Sequence, residues 1–372
     1  MSLLANLLCS KLRKIFAFLV CLTAILIIVG YAVAYQTENV FLVIIDGARY
    51  SETFGDETYA NIPNMYDLSL EGCLNTAFYN NRSTYTKNAV CAILTGNWEN
   101  FITFRPQYPS IWEYYRKQSN LPQDSCYYSF PDIPDDPNYL GDFQPVSFHA
   151  KYGLDYWPMR GNSRSNDESW KELKIAMESL HPRLVVLYLG ETDSAGHSGD
   201  WDGYLRTISK ADEIVGELWN KIQSDPIYQN KTTLIVTNDH GRHNDDNPDG
   251  GFKNHGDNCD GCQHIMFLAL GPDFKRNYQT NIKQTIIDIA PTIGELLHFK
   301  TEYATGKVMS ELFKLPLWDV NQDGIVNIVD LIIVAQQIGK TNANNTYVDV
   351  NMDGQVDILD LKIIFMHLGE AY

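Results

Sequence analysis

Basic residues are scarce in this chain: 29 Lys and Arg stand against 46 Asp and Glu, a formal charge of −17. That balance excludes nucleic acid as an expected partner, because phosphate backbones are bound by an excess of Lys and Arg. Cysteine is also sparse. Cys9 and Cys21 fall in an N-terminal apolar segment, which leaves Cys73, Cys91, Cys126, Cys259 and Cys262; an odd number argues against a complete disulfide framework. Cys259-Asp-Gly-Cys262 has the spacing of half a zinc site, but it stands alone. In an oxidising compartment a local disulfide or inert thiols fit it better, and it is assigned no chemistry. Long uncharged apolar runs are missing except for one, from Ile15 to about Val33.

That run follows Lys11, Arg13 and Lys14 and ends in the small-x-small pattern Ala32-Val33-Ala34, the layout of an export signal. An uncleaved anchor is the alternative, since the run is near the shortest length that spans a bilayer. A membrane contact is expected only in that case. Either way the body of the chain is expected outside the cytoplasm, whether secreted, periplasmic or at the cell surface. Losing residues 1–34 removes three positive charges and no negative ones, taking the formal charge from −17 to −20. Such acidity reads either as a solvated surface or as carboxylates gathered around cations.

What is present is an alternation of buried-type strands and helices. Val40–Ile45, Leu184–Leu189, Thr233–Val236 and Ile265–Leu270 are continuous apolar runs, as expected of strands covered on both faces. Helix-like stretches lie between them, over Ser169–Ser179 and Tyr204–Gln223. The order predicts α/β architecture with a mostly parallel central sheet flanked by helices, over residues 35–314. Residues 107–167, rich in Pro, Tyr, Asp and Gly, lack periodicity and are expected to form an insertion or cap near the site.

Ligands of such sheets gather beyond the carboxyl ends of the strands. Polar residues follow three of the apolar runs there: Asp46, Asp193 and Asp239-His240. Asp193-Ser-Ala-Gly-His197 places a carboxylate and an imidazole four residues apart, close enough to share an ion, and His255-Gly256-Asp257 lies in the loop after Asp239-His240. Aspartates and histidines converging on one crevice are hard and borderline metal ligands. His243, Asp257 and His264 read as ordinary polar residues.

With these motifs in place, residues 39–314 resemble the alkaline phosphatase superfamily, especially its type I phosphodiesterase and nucleotide pyrophosphatase-like branch. The shared landmarks are the strand end Ile44-Ile45-Asp46-Gly47, the helix start Ile62-Pro63-Asn64-Met65, and a nucleophile nine residues before Thr95-Gly96, which is Thr86. Ile287–Thr292 and Gly306–Met309 look like its closing helix and last turn. The resemblance implies that Asp193, His197 and His255 hold one divalent ion, while Asp46, Thr86, Asp239 and His240 hold the other. Zinc is the expected ion, with manganese as the alternative. The branch favours Asn three residues after the nucleophile, where this chain has Ala89; Asn88 is one place early, so its contact with phosphate and the choice of Thr86 over Thr84 are the points in question.

Coordination to a divalent cation would stabilise the threonine alkoxide without a neighbouring base. The resemblance implies hydrolysis of a phosphomonoester or phosphodiester through a phosphoryl-threonine intermediate. A sulfatase of the same fold is the near alternative, but residues 86–90, Thr-Lys-Asn-Ala-Val, lack the Pro and Arg of the sulfatase turn. A phosphomutase and a non-catalytic binding protein are further alternatives.

After Leu315-Pro316-Leu317 the character changes, and Asp319-Val-Asn-Gln-Asp-Gly324 returns as Asp349-Val-Asn-Met-Asp-Gly354, a tandem repeat offset by 30 residues. Asp319, Asn321, Asp323, the Ile325 carbonyl, Asn327 and Asp330 occupy the ligand positions of an EF-hand-like loop; Asp349, Asn351, Asp353, Gln355, Asp357 and Asp360 repeat them. Asp rather than Glu at the twelfth position makes the sharper resemblance one to dockerin, with helices expected at Leu331–Ile338 and Leu361–Leu368. The resemblance implies two calcium ions in residues 315–372 and a cohesin-type protein partner.

Overall fold

The structure is a computed structural model that describes residues 35–98, 106–129, 149–161, 165–339, 348–351 and 353–370. The export or anchor segment of residues 1–34 lies outside them. Among the described residues no helix is long and apolar enough to cross a membrane. The chain divides into two compact units, Tyr35–Lys314 and the chain from Leu315 onward.

The larger unit is built on nine strands: β1 (Asn39–Ile45), β2 (Cys73–Tyr79), β3 (Cys126–Ser129), β4 (Met159–Arg160), β5 (Leu184–Leu189), β6 (Thr232–Thr237), β7 (His264–Leu270), β8 (Tyr278–Thr280) and β9 (Gln284–Thr285). They run in the order β4-β3-β5-β1-β6-β7-β2-β8, with β9 on β2. The pairing is parallel except that β7 opposes both β6 and β2. Along β1, Val40, Leu42 and Ile44 enter one core layer, while Phe41, Val43 and Ile45 enter the other. All six are fully buried, each contributing about 1.5–3 kcal/mol. That two-sided burial is the reason the run is apolar throughout.

Among the described residues, eight helices of this unit follow in chain order: α1 (Pro63–Glu71), α2 (Thr86–Thr95), α3 (Ile111–Ser119), α4 (Asn166–Ser179), α5 (Glu191–Ser198), α6 (Trp201–Ser224), α7 (Asp260–Gln263) and α8 (Ile289–Leu296). α1 begins at Pro63, whose missing N–H costs nothing in a first turn. Asp212 on α6 receives the Asn64 and Met65 N–H groups at 3.0 and 2.7 Å, tying the two helices together.

The expectation of a cap over residues 107–167 is corrected in its described part. Ser110 and Glu113 form a capping box that starts α3, and Cys126–Ser129 pairs in register with β5 as part of the sheet. The segment is sheet edge and packing helix because its apolar residues, such as Trp112, Tyr114 and Tyr128, are buried in the same core as β1. Residues 130–148 of that expectation lie outside the described residues.

The smaller unit has α9 (Ile328–Ala335) and α10 (Ile358–Met366). Both start three residues before the expected Leu331 and Leu361, because Asn327 and Asp357 cap them and Asp330 and Asp360 complete capping boxes. Its core is small: Val320, Val326, Val334, Val348, Val350 and Ile364. The end of the unit folds back on its beginning. Gly369 N–H donates to the Val326 carbonyl at 2.8 Å, Val326 N–H to the Glu370 carbonyl at 2.9 Å, and the His367 ring stacks on Trp318 at 4.0 Å.

Candidate active site and acidic loops

The carboxyl ends of β5, β1 and β6, three neighbours in parallel register, deliver Asp193, Asp46 and Asp239-His240 to one rim of the sheet. β1 stops at Ile45 and Asp46 is the next residue. β6 stops at Thr237, and Asn238 locks the following turn by donating to the Ala48 and His240 carbonyls at 2.7 and 2.8 Å. Asp193 and His197 lie one turn apart on α5, with Asp193 Oδ2 3.3 Å from His197 Nε2.

Two groups of ligand atoms result: Asp46, Asp239 and His240 in one, Asp193, His240 and His255 in the other. His240 stands in both. His197 joins the second through its Nε2, 3.1 Å from His255 Nε2. His240 Nδ1 faces the Gly241 carbonyl at 2.8 Å and His255 Nδ1 the Thr84 carbonyl at 2.7 Å. A carbonyl only accepts, so each Nδ1 carries the proton and each Nε2 presents a lone pair to the cluster. Burial pushes both imidazoles down to about 4, keeping them neutral as ligands must be.

The carboxylates are arranged as a cation would require. Asp46 Oδ1 and Asp239 Oδ2 are buried without a hydrogen-bond partner, and they lie 3.3 and 3.5 Å from His240 Nε2. Burial, reinforced by Asp239 and Asp193, pushes the Asp46 carboxyl well up, and burial with Asp193 pushes Asp239 up to about 7. Like charges crowded out of water this way need a neutralising cation or a proton. Asp193 differs: burial works against its charge, yet His197, His240 and the Arg242 guanidinium hold it well below the usual carboxylate range.

Thr86 is the first residue of α2 and is nearly buried, with its hydroxyl 3.1 Å from His240 Nε2. Thr84 is fully buried and its hydroxyl donates to the Asp257 carbonyl at 2.9 Å, committing it to the loop. Asn88 sits on the first turn of α2, half-buried.

Three supporting residues carry no signal in the sequence. Tyr188 is the fifth residue of an apolar strand, yet its hydroxyl donates to Asp46 Oδ2 at 2.5 Å. Arg242, fully buried, pairs with Asp193 Oδ1 and donates to the Phe252 and Lys253 carbonyls. Asn80 spans from β2 to the Asp239 carbonyl at 2.7 Å. Removing the Tyr188 hydroxyl leaves Asp46 less firmly oriented, so Tyr188→Phe is expected to weaken metal binding about 10- to 100-fold. Competitive titration against a chromogenic chelator measures this; unchanged affinity would remove Tyr188 from the site.

In the smaller unit both loops are formed. Asp319 receives the Asp323 and Gly324 N–H groups at 3.2 and 2.8 Å, and Asp330 those of Asn321 and Asn327 at 3.1 and 2.8 Å. Asp349 and Asp360 repeat the pattern on Asp353 and Gly354, and on Asn351 and Asp357. Gly324 and Gly354 turn at φ of 83° and 87°, a left-handed conformation that favours glycine. Asn327 and Asp357 accept the Val329 and Leu359 N–H groups as helix caps, and the Ile325 carbonyl accepts from Asn327 Nδ2 at 3.0 Å. Gln355 closes the second turn, its N–H on Asp353. Oxygen-only loops of this kind suit a hard cation such as calcium.

Residues 38–301 match the Metalloenzyme superfamily and residues 317–369 the Dockerin type I domain. A 2,3-bisphosphoglycerate-independent phosphoglycerate mutase from Gracilaria tenuistipitata var. liui is 27% identical over 118 residues, 31% of this chain. The matched part is only 21% of the mutase's length. A protein of the alkaline phosphatase superfamily from Vibrio parahaemolyticus shares the fold with a TM-score of 0.56 at 14% identity, over 74% of this chain and 71% of that one. Murine ectonucleotide pyrophosphatase/phosphodiesterase 5 does so at 0.55 and 16%, over 74% of this chain and all (100%) of that one. With the metal-capable cluster on the rim of this sheet, the chain belongs to the Metalloenzyme superfamily, as an alkaline phosphatase-like domain followed by a type I dockerin domain.

Proposed function

We propose that the larger unit is an exported hydrolase of phosphate esters whose nucleophile is Thr86. The observation that carries the reading is the Thr86 hydroxyl at the N-terminus of α2, 3.1 Å from His240 Nε2 and so at the mouth of the Asp46/Asp239/His240 group. Asp46, Thr86, Asp239 and His240 would hold one divalent ion and Asp193, His197 and His255 the other. Such ions, zinc or manganese, supply charge neutralisation and a lowered hydroxyl pKa when bound.

The chain's own residues do the rest. Thr86 Oγ forms a bond to phosphorus as the ester oxygen departs, giving a phosphoryl-threonine; water then cleaves the Oγ–P bond and restores the hydroxyl. N–H groups in the first turn of α2 have no acceptor within the helix and point where phosphoryl oxygens gather. Asn88, on that turn, is placed to add a side-chain donor. Tyr188 and Arg242 keep Asp46 and Asp193 in position throughout.

Hydrolysis of bis-p-nitrophenyl phosphate, p-nitrophenyl phosphate and p-nitrophenyl sulfate with zinc or manganese tests the reading. Release from one or both phosphate esters, and little from the sulfate, is expected; activity on the sulfate alone would overturn it. A mutase is the second reading, favoured by curated relatives that are a phosphoglycerate mutase and phosphopentomutases. It returns the phosphoryl group to a substrate hydroxyl instead of to water, so a rearranged phosphate ester carrying no oxygen from labelled water would identify it.

The dockerin domain supports export and a protein partner of the cohesin type. Asp319, Asn321, Asp323, the Ile325 carbonyl, Asn327 and Asp330 would hold one calcium ion; Asp349, Asn351, Asp353, the Gln355 carbonyl, Asp357 and Asp360 would hold the second. Ile328, Val329 and Ile332 on α9 and Ile358, Leu359 and Phe365 on α10 are exposed apolar side chains available to such a partner.

A further inference from the structure

A second set of ligand-type side chains meets in the loop between His240 and β7. His243 is 2% exposed. Its Nδ1 faces the Asp249 carbonyl at 3.3 Å, so that nitrogen carries the proton. Its Nε2 is buried with no hydrogen-bond partner, 3.4 Å from Asp257 Oδ2. One ligand atom each from His243, Asp257 and Cys262 lie within 4.8 Å of one another. Cys259, one turn before Cys262, hydrogen-bonds the Asp257 carboxylate and adjoins the Cys262 thiol. All of these thiols are free.

We propose that His243, Asp257, Cys259 and Cys262 form a further cation site, separate from the Thr86 cluster, for a borderline ion of the zinc type. Nitrogen, carboxylate and two thiols are a tetrahedral zinc donor set, in which ligands about 2 Å from the ion stand roughly 3.3 Å apart. The His243–Asp257 separation already has that value. Binding replaces two thiol protons: the ion takes the Cys259 and Cys262 thiolates and two protons leave to solvent, with no change of oxidation state.

The location gives the ion structural work. Gly241 N–H donates to the Cys262 carbonyl at 2.9 Å, and a Cβ on Gly241 would stand 2.0 Å from the Gly261 carbonyl oxygen, so the two chain segments meet through glycine alone. The Asp257 carbonyl receives the Thr84 hydroxyl, while the Thr84 carbonyl receives His255 Nδ1. An ion on Asp257 therefore braces the loop that aims His255 and the turn that precedes Thr86, without touching either.

Cobalt(II) substitution in the full-length protein under reducing conditions tests this. The Thr86 cluster offers only oxygen and nitrogen, so a near-ultraviolet thiolate-to-cobalt charge-transfer band reads the second site alone. We expect the band in the wild-type chain and in Asp46→Asn, and its loss in Cys262→Ser and in Cys259→Ser. The half-exposed Cys259 position tolerates serine should the buried Cys262→Ser fail to fold. Zinc content by elemental analysis is expected to fall by about one ion per chain in Cys259→Ser. Absence of the band in folded wild-type protein, its persistence in Cys259→Ser, or a Cys259–Cys262 disulfide found by peptide mass spectrometry in freshly isolated protein would each overturn the proposal. None of these outcomes bears on whether Thr86 is the nucleophile.

Discussion

Alanine at position 86 is expected to lower turnover of a phosphodiester such as bis-p-nitrophenyl phosphate by about 10³-fold or more, with KM changed little. The Thr86 hydroxyl forms its bond to phosphorus only as the reaction proceeds, so its loss removes an interaction made in the transition state and falls on kcat. The fold should survive, because the residue is first in α2 and the helix is held by Ala89, Val90, Ala92 and Ile93 in the core. Metal content should survive as well, since the aspartates and histidines remain. Thr86→Ser keeps the hydroxyl and is expected to recover much of the rate. Thr84→Val is the discriminating control: its hydroxyl is spent on the Asp257 carbonyl, so that change should loosen the loop and leave Thr86 chemistry in place. Wild-type turnover by Thr86→Ala would end the nucleophile assignment.

Chelation of calcium is expected to unfold the smaller unit. The six buried apolar side chains among the described residues are a meagre core for a segment of this size, too little by itself to offset chain entropy. The loops also concentrate Asp319, Asp323 and Asp330 in one turn and Asp349, Asp353 and Asp360 in another, charges that repel without a cation. At a thousandfold excess of calcium over Kd each loop contributes about 4 kcal/mol to folding, comparable to the whole stability of a small domain. Titration with a calcium chelator, followed by circular dichroism, should remove the helical signal of α9 and α10. Phosphoesterase activity should persist, since the larger unit has two core layers of its own. Helicity unchanged by chelator would refute the calcium dependence.

Much of the larger unit was legible because its central strands are uniformly apolar. β1 and β5 can be read from hydrophobicity almost to the residue, and the polar residues that end them mark the site. β2, Cys-Leu-Asn-Thr-Ala-Phe-Tyr, is not legible because Asn75 and Thr76 interrupt it; the buried Asn75 side chain donates to the Gln284 side chain and the Ile282 carbonyl and accepts from the Ala77 N–H. The reversed direction of β7 has no local signature, since an apolar run reads the same either way. α3 was missed although Ser110-Ile-Trp-Glu113 is a capping-box pattern. The ligand-type residues of the site were legible by spacing, whereas Tyr188 and Arg242 were not. Their partners lie 142 and 49 residues away, and only the folded chain brings them together. The cluster at His243, Asp257 and Cys262 lies in one loop, but its irregular spacing follows no paired metal motif, so the Cys259/Cys262 half-site alone shows in the sequence.

The fold-back at the chain's end has a practical corollary. Trp318 against His367, and Val326 against Gly369 and Glu370, bring the entrance and exit of the smaller unit side by side. A cassette whose two ends meet can be spliced into a surface turn of an unrelated host with a short bridge at each seam. Trimming at Leu368, by contrast, should unfasten the first of the two acidic loops, although none of its proposed ligands would be lost.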